Sequence, residues 1–384
     1  MPTLHAASIL PTEGPGLLLG RCWCPERGRP LPVRVDGDRL VEVAVPTVAH
    51  LLREVDPAAA VMDRTGAWAC TLDEALAGIG DPSRPHLLAP VDLQPIKAAG
   101  VTFVASMLER VIEEATRGDA AVAAETRARI LATIGGDVAR LRPGSPEALR
   151  FRAEMLAAGR WSPYLEVGLG PDAEIFTKAS PMSAVGTGMP IGVRADSAWN
   201  NPEPEVVLVV TPDGRTVGAT LGNDVNLRDW EGRSALLLGR AKDNRGSAAI
   251  GPFIRLFDRH RGGDFDLDTV RAETVDLEVH GAGDGFELRA QSSMARISRD
   301  PEDLVRQLFD GHDWPDGVVL YLGTMFAPTQ DRPRLDGSLV EGDGFTHRTG
   351  DRVRIHSPHL GALDNTVQPV DACPRWKVGL ADLF

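Results

Sequence analysis

Apolar and polar side chains alternate along residues 32–45, PVRVDGDRLVEVAV, on either side of Asp36-Gly37-Asp38. Period-two alternation across such a turn predicts a β-hairpin. Residues 16–23 (GLLLGRCW) read as a further strand and residues 48–55 (VAHLLREV) as a short helix. The stretch 71–95 is punctuated by Pro82, Pro85, Pro90 and Pro95. It predicts a linker over 76–95, between a small N-terminal domain, 1–75, and a larger domain, 96–384. From residue 107 to 141 the apolar period lengthens to that of a helix, with Glu113/Arg117 and Glu125/Arg129 as i,i+4 pairs and Gly135-Gly136 as a break.

Beyond residue 160 short β patterns dominate. Predicted strands are 164–170, 173–179, 190–196, 204–211, 216–222, 275–281, 285–291, 317–324 and 351–357. Pro212-Asp213-Gly214 and the glycine-rich 281–285 supply turns between them. One helix is predicted over 301–311, with Leu304 and Leu308 on one face. The expected class is α+β and β-rich: a roll or sandwich with few helices behind a smaller β-containing N-terminal domain.

Composition narrows function more than fold. Apolar residues are 43% and charged residues 25% of the chain, as in an ordinary globular protein. The 54 acidic against 41 basic residues leave a net charge of −13, which repels phosphate backbones and anionic lipid. No nucleic-acid or membrane partner is therefore expected. There is no basic leader segment, no apolar run of membrane-spanning length, and four scattered cysteines, which suits a cytoplasmic protein. Cys22 and Cys24 form a CxC pair without a second pair at zinc spacing, and are expected to be plain thiols. His356 and His359 flank a proline at a strand end and are expected in a loop. Dinucleotide, P-loop, GxSxG and HExxH motifs are absent.

The segment that carries chemistry is Trp199-Asn200-Asn201-Pro202-Glu203-Pro204-Glu205, followed by VVLVV. Residues i and i+2 of a strand share a face, so Glu203 and Glu205 project together. Two adjacent carboxylates repel unless one is protonated or a cation lies between them. Asp224, in LGNDVNLRDWEG, follows after one strand, the turn at Asp213-Gly214 and a return strand. An antiparallel return brings it to the glutamate pair. Three hard oxygen ligands suit Mg²⁺, with Mn²⁺ as the alternative; the bland alternative is a solvated acidic turn. Lys242 lies in the small-residue loop GRAKDNRGSAAIGPF, where it either pairs with a substrate carboxylate or enolate or is a surface lysine.

Taken in order, these residues resemble the fumarylacetoacetate hydrolase superfamily, in its sugar-acid dehydratase branch. The matching elements are Gly100-Val101-Thr102-Phe103, Glu174 through Lys178, Pro202 through Glu205, Asn223 through Asp229, Lys242 ahead of Gly251-Pro252, and Gly323-Thr324. They span residues 96–370. The resemblance implies a mixed β-roll on which Glu203, Glu205 and Asp224 hold Mg²⁺, and a homodimer or homotetramer. It implies metal-dependent dehydration of a small sugar acid, 2-keto-3-deoxy-D-xylonate or a similar pentonate, through an enolate to 2,5-dioxopentanoate. Glu174 is the expected proton-transfer residue and Lys242 the stabiliser of the carbonyl or enolate. Glu109, beside Arg110, is a second acid/base candidate or a helix-surface ion pair. Thr324 is expected to hold the substrate carboxylate. Lys178 and Arg228 either bring positive charge to the substrate or pair with nearby acids. Ser106 stands where hydrolytic members carry a histidine that activates water, which argues against C–C hydrolysis. A hydrolase of diketo acids or an oxaloacetate-type decarboxylase is the alternative on the same fold. A non-catalytic sugar-acid-binding protein is the alternative of another class.

Overall fold

The computed structural model describes residues 4–14, 16–134, 141–159 and 161–383, with the side chains of residues 129, 131–134 and 383 left aside. Its strands, in chain order, begin with β1 (Leu17–Cys24), β2 (Arg29–Asp36), β3 (Arg39–Val43), β4 (Thr65–Thr71), β5 (His86–Leu88) and β6 (Ile96–Gly100). They continue with β7 (Glu174–Ala179), β8 (Pro190–Val193), β9 (Asn200–Asn201), β10 (Pro204–Val210), β11 (Thr216–Asp224) and β12 (Asn226–Leu227). The last are β13 (Ala248–Leu256), β14 (Thr274–His280), β15 (Glu287–Ser293), β16 (Val318–Tyr321), β17 (Arg352–Ser357) and β18 (Gly361–Pro369).

An eleven-stranded sheet runs β4-β3-β2-β1-β13-β11-β10-β16-β6-β7, with β5 also paired to β1. A five-stranded sheet, β15-β14-β17-β18-β8, packs on one face of its centre. Between them lie Val206, Leu208 and Val210 of β10 and Leu277, Val279, Ile355 and Leu363 of the smaller sheet. The opposite face of β10, Val207 and Val209, packs against Val48, Leu51, Ile250 and Tyr321. A strand buried on both faces reads as a continuous apolar run, which is why VVLVV does not alternate. The result is the β-rich α+β roll expected from the sequence.

Several local readings need correction. Residues 164–170 form a helix, Pro163–Leu169, and not a strand. Ser162 caps it by accepting from Leu165 N, and Pro163 sits at its first position, where a missing N–H costs nothing. The 76–95 stretch is no free linker: β5 pairs with β1, and Leu87, Val91 and Leu93 are buried. β1 also pairs with β13, so the N-terminal strands continue the main sheet. The pair Glu113/Arg117 does not form. Glu113 turns to Arg110 and Arg228 instead, while Arg117 ends the Val104–Thr116 helix in the left-handed region. The break at Gly135-Gly136 and the side chain of Arg129 lie outside the described residues. The 36–38 hairpin, the Pro301–Leu308 helix with Leu304 and Leu308 buried, and the four free cysteines agree with the sequence reading.

Candidate active site

The site stands at one end of the β10–β11 ladder. Its antiparallel register pairs Pro204 with Asn223 and Glu205 with Gly222, and Asp224 N donates to Glu203 O at 3.0 Å. Glu203, Glu205 and Asp224 therefore share one sheet face, and their carboxylate oxygens lie within 4.8 Å of one another. All three are buried. This is the only group of potential metal ligands of its kind among the described residues. Three carboxylates with no sulfur or imidazole fit a hard divalent cation such as Mg²⁺.

The charges around the triad differ by position. Glu203 is held at about 2 against the upward push of burial, because Arg110 and Lys242 both pair with it. Glu205 is pushed well above the usual carboxylate range by burial and by Asp224 and Glu203, its like-charged neighbours. It accepts from Gly323 N at 2.7 Å and from Thr324 Oγ1 at 3.3 Å, neither of them charged. A bound cation would relieve that repulsion. Lys242 Nζ also donates to Asp224 Oδ2 at 2.9 Å, and its neighbouring carboxylates outweigh burial to keep the ammonium charged. Lys178 Nζ lies 2.6 Å from Asp224 Oδ1, in an ion pair without hydrogen-bond geometry, and donates to Val225 O at 3.2 Å. Burial lowers the pKa of this lysine.

A second layer comes from two helices, Val104–Thr116 and Arg228–Arg233. Each carries an Arg and a Glu at i,i+3, and these cross-pair. Arg228 Nε donates to Glu113 at 2.6 Å, and Arg110 Nε lies 3.2 Å from Glu231 Oε1. Arg110 Nη1 also holds both Glu113 oxygens, and its Nη2 reaches Glu203. Arg228 lies over the Trp199 ring at 4.1 Å. Gly232 makes the close approach possible, since a Cβ there would sit 2.8 Å from Glu113 O and 2.9 Å from Gly118 Cα. The sequence reading assigns none of Arg110, Glu113 and Glu231 to the site. Their only signal was the repeated i,i+3 Arg/Glu spacing, which solvated helices also show.

Glu174, at the start of β7, packs directly over Gly100 of β6. Burial raises its pKa, with the acids of the triad adding to the effect and Arg110 and Lys242 opposing it. The structure thus brings together Glu203, Glu205, Asp224, Lys178, Lys242 and Thr324, which donates to Glu203 at 2.7 Å. It does not bring Glu109 or Arg228 to the triad. Glu109 is clamped by Arg127 at 2.9 and 2.7 Å and by Arg228 at 2.8 Å, and these guanidiniums hold it below the usual range in spite of burial. It belongs to an ion-pair ladder with Arg127 and Arg228, and its partner is not the adjacent Arg110. Ser106 is buried one helical turn before Arg110.

Residues 160–368 match the family model described as fumarylacetoacetate (FAA) hydrolase, C-terminal. The chain is 33% identical over 168 residues to a 2-dehydro-3-deoxy-D-arabinonate dehydratase of Saccharolobus solfataricus, covering 44% of this chain and 54% of that protein. It is 30% identical over 207 residues to a probable 2-keto-3-deoxyxylonate dehydratase of Haloferax volcanii, covering 54% of this chain and 64% of that one. The matches thus span less than two thirds of either curated relative. Among solved structures, a 2-keto-3-deoxy-D-arabinonate dehydratase complexed with magnesium and 2,5-dioxopentanoate shares the fold, with a TM-score of 0.60 and 20% identity over 92% of this chain and 99% of that one. Its apo form gives a TM-score of 0.61 at 21% identity, with the same coverage.

Proposed function

The chain belongs to the fumarylacetoacetate hydrolase family, and from that premise we propose that it dehydrates a 2-keto-3-deoxy pentonate to 2,5-dioxopentanoate. The D-xylonate derivative is the first candidate substrate and the D-arabinonate derivative the second. In this reading Glu203, Glu205 and Asp224 hold Mg²⁺, with Mn²⁺ as a second metal, and the reaction serves non-phosphorylative pentose oxidation. The observation that carries the reading is a buried three-carboxylate centre with Lys242 against it, Glu174 beside it, and no imidazole touching it among the described residues. The names of the two curated relatives support the same reaction class.

When bound, the cation polarises the 2-keto group and acidifies the hydrogens at C3. Glu174, kept weakly acidic by burial, accepts a C3 proton. Lys242 stays protonated and stabilises negative charge as it grows on the 2-keto oxygen. Thr324 Oγ1 is the donor to the substrate carboxylate, while Lys178 stays paired with Asp224. Positive charge concentrated in this way lets a protein of net charge −13 hold an anionic substrate.

The test is turnover of both 2-keto-3-deoxy pentonates by protein treated with EDTA, followed by addition of Mg²⁺, with products identified by NMR. Activity should vanish on chelation and return with the metal, giving 2,5-dioxopentanoate. Unchanged turnover after chelation would refute the metal, and products of C–C cleavage or CO₂ release would refute the dehydration.

A further inference from the structure

Loss of water across C3–C4 moves two protons, and the reading above, on which this inference rests, provides a group for only one of them. A base takes the C3 proton and an acid must protonate the departing hydroxyl. Besides Glu203, three carboxylates meet the guanidiniums of Arg110 and Arg228: Glu109, Glu113 and Glu231. Glu109 and Glu113 have both oxygens occupied by guanidinium nitrogens. Glu231 does not. Its side chain is 4% exposed, one oxygen lies 3.2 Å from Arg110 Nε, and Oε2 has no hydrogen-bond partner among the described residues. The same guanidinium holds Glu203 through Nη2, so this open carboxyl and a proposed metal ligand sit on neighbouring nitrogens of one group. An incompletely compensated carboxyl in the interior is costly to fold.

We propose that Glu231 is the acid that protonates the C4 hydroxyl as it leaves, with Glu174 the base at C3. Glu174 takes the C3 proton, and the C–H electron pair becomes the C2–C3 double bond of an enolate. Return of that pair forms the C3–C4 double bond and breaks the C4–O bond. The hydroxyl departs as water with the proton of Glu231, which is left as a carboxylate. A proton shift from C5 to C3 in the resulting 5-hydroxy-2-oxo-3-enoate and tautomerisation of the C4=C5 enol then give 2,5-dioxopentanoate. Loss of a proton from Glu174 and gain of one by Glu231 from solvent reset the pair. Burial raises Glu231 to about 7 against the pull of Arg110 and Lys242, so the acid form is populated at neutral pH. The groups that bear on it are Arg110 and Glu113 from the first helix, Lys242, Glu203, and Tyr164 from the Pro163–Leu169 helix.

The experiment compares the wild-type protein, Glu231→Gln and Glu174→Gln with Mg²⁺ in D₂O, reading C3–H exchange and product formation by NMR. Two substrates are used: the 2-keto-3-deoxy pentonate, and its 4-fluoro analogue, whose leaving group needs far less proton assistance. Glu231→Gln should lose elimination of the hydroxyl by about 10²- to 10⁴-fold. It should still exchange C3–H and still expel fluoride, whereas Glu174→Gln should lose exchange. In the wild-type protein, elimination of hydroxyl should fall above about pH 7 while elimination of fluoride does not. Equal losses of exchange, hydroxyl elimination and fluoride elimination in Glu231→Gln would overturn the proposal, as would full dehydration by that variant. Matching pH profiles for the two substrates overturn it without any variant. A wild-type protein that exchanges and dehydrates neither substrate would instead refute the reaction itself.

Discussion

The site has two walls, and they treat carboxylates in opposite ways. On the helical wall Glu109 and Glu113 are matched by Arg110, Arg127 and Arg228, so each acid has its countercharge in place. On the sheet wall Glu205 faces Asp224 and Glu203 with only neutral donors of its own, and Glu174 is half-buried without an ion pair among the described residues. The difference lies in compensation, since both walls are rich in acid and largely buried. Underpaired Glu205 and Glu174 are open to a cation or a proton, whereas Glu203 and Asp224 share Lys242 and would exchange part of that contact for a metal. Glu231 stands on the helical wall but follows the logic of the sheet.

Substitutions on either wall test this contrast. The largest effect is expected from Glu203→Ala, which removes a proposed metal ligand and should lower kcat by at least about 10³-fold with the secondary structure unchanged by circular dichroism. Arg228→Met leaves Glu113 and Glu109 underpaired; urea titration should show a loss of about 3–5 kcal/mol, as for a broken buried pair. Glu231→Gln should act in the other direction on stability. The folded carboxyl, at about 7, lies above the value of roughly 4.3 for an unfolded glutamate. It therefore costs nothing below roughly pH 4.3 and progressively more as pH rises to 7. The metal-free variant should gain roughly 3 kcal/mol over wild type at pH 8 and converge with it at pH 4. Glu109→Gln should show the opposite sign, losing stability above roughly pH 4.3 because its partners favour the anion. The smallest effect is expected from Gly100→Ala. A Cβ there would sit 1.9 Å from Glu174 Oε2, so the carboxyl must swing aside. Turnover should fall by about 10²-fold with metal affinity retained.

The two walls were also unequally legible. Glu203 and Glu205 stand two apart at the head of an apolar strand, and a hairpin between them and Asp224 leaves one antiparallel register that keeps the core face inward. Local rules therefore reached the triad. The helical wall was hidden because an Arg and a Glu three apart on a helix look the same in solvent as in the interior. What buries them is the contact of two helices through Gly232 and Gly118, a pairing of distant segments that periodicity does not encode. The misreading of 164–170 is of a different kind. A seven-residue apolar stretch suits strand or helix, and the deciding signal was the Ser162-Pro163 cap just before it. Prolines in 76–95 likewise mark turns, while Leu87, Val91 and Leu93 tie that stretch to the core.

The proposed metal site is tested most directly by titrating the metal-free protein with Mn²⁺, reading bound metal by electron paramagnetic resonance and competing it with Mg²⁺. One site per chain should fill and be displaced by Mg²⁺, and Glu205→Gln should weaken it at least about tenfold while Glu109→Gln leaves it unchanged. Absence of a saturable site, or equal affinity in the wild-type and Glu205→Gln proteins, would contradict the assignment of Glu203, Glu205 and Asp224 as its ligands.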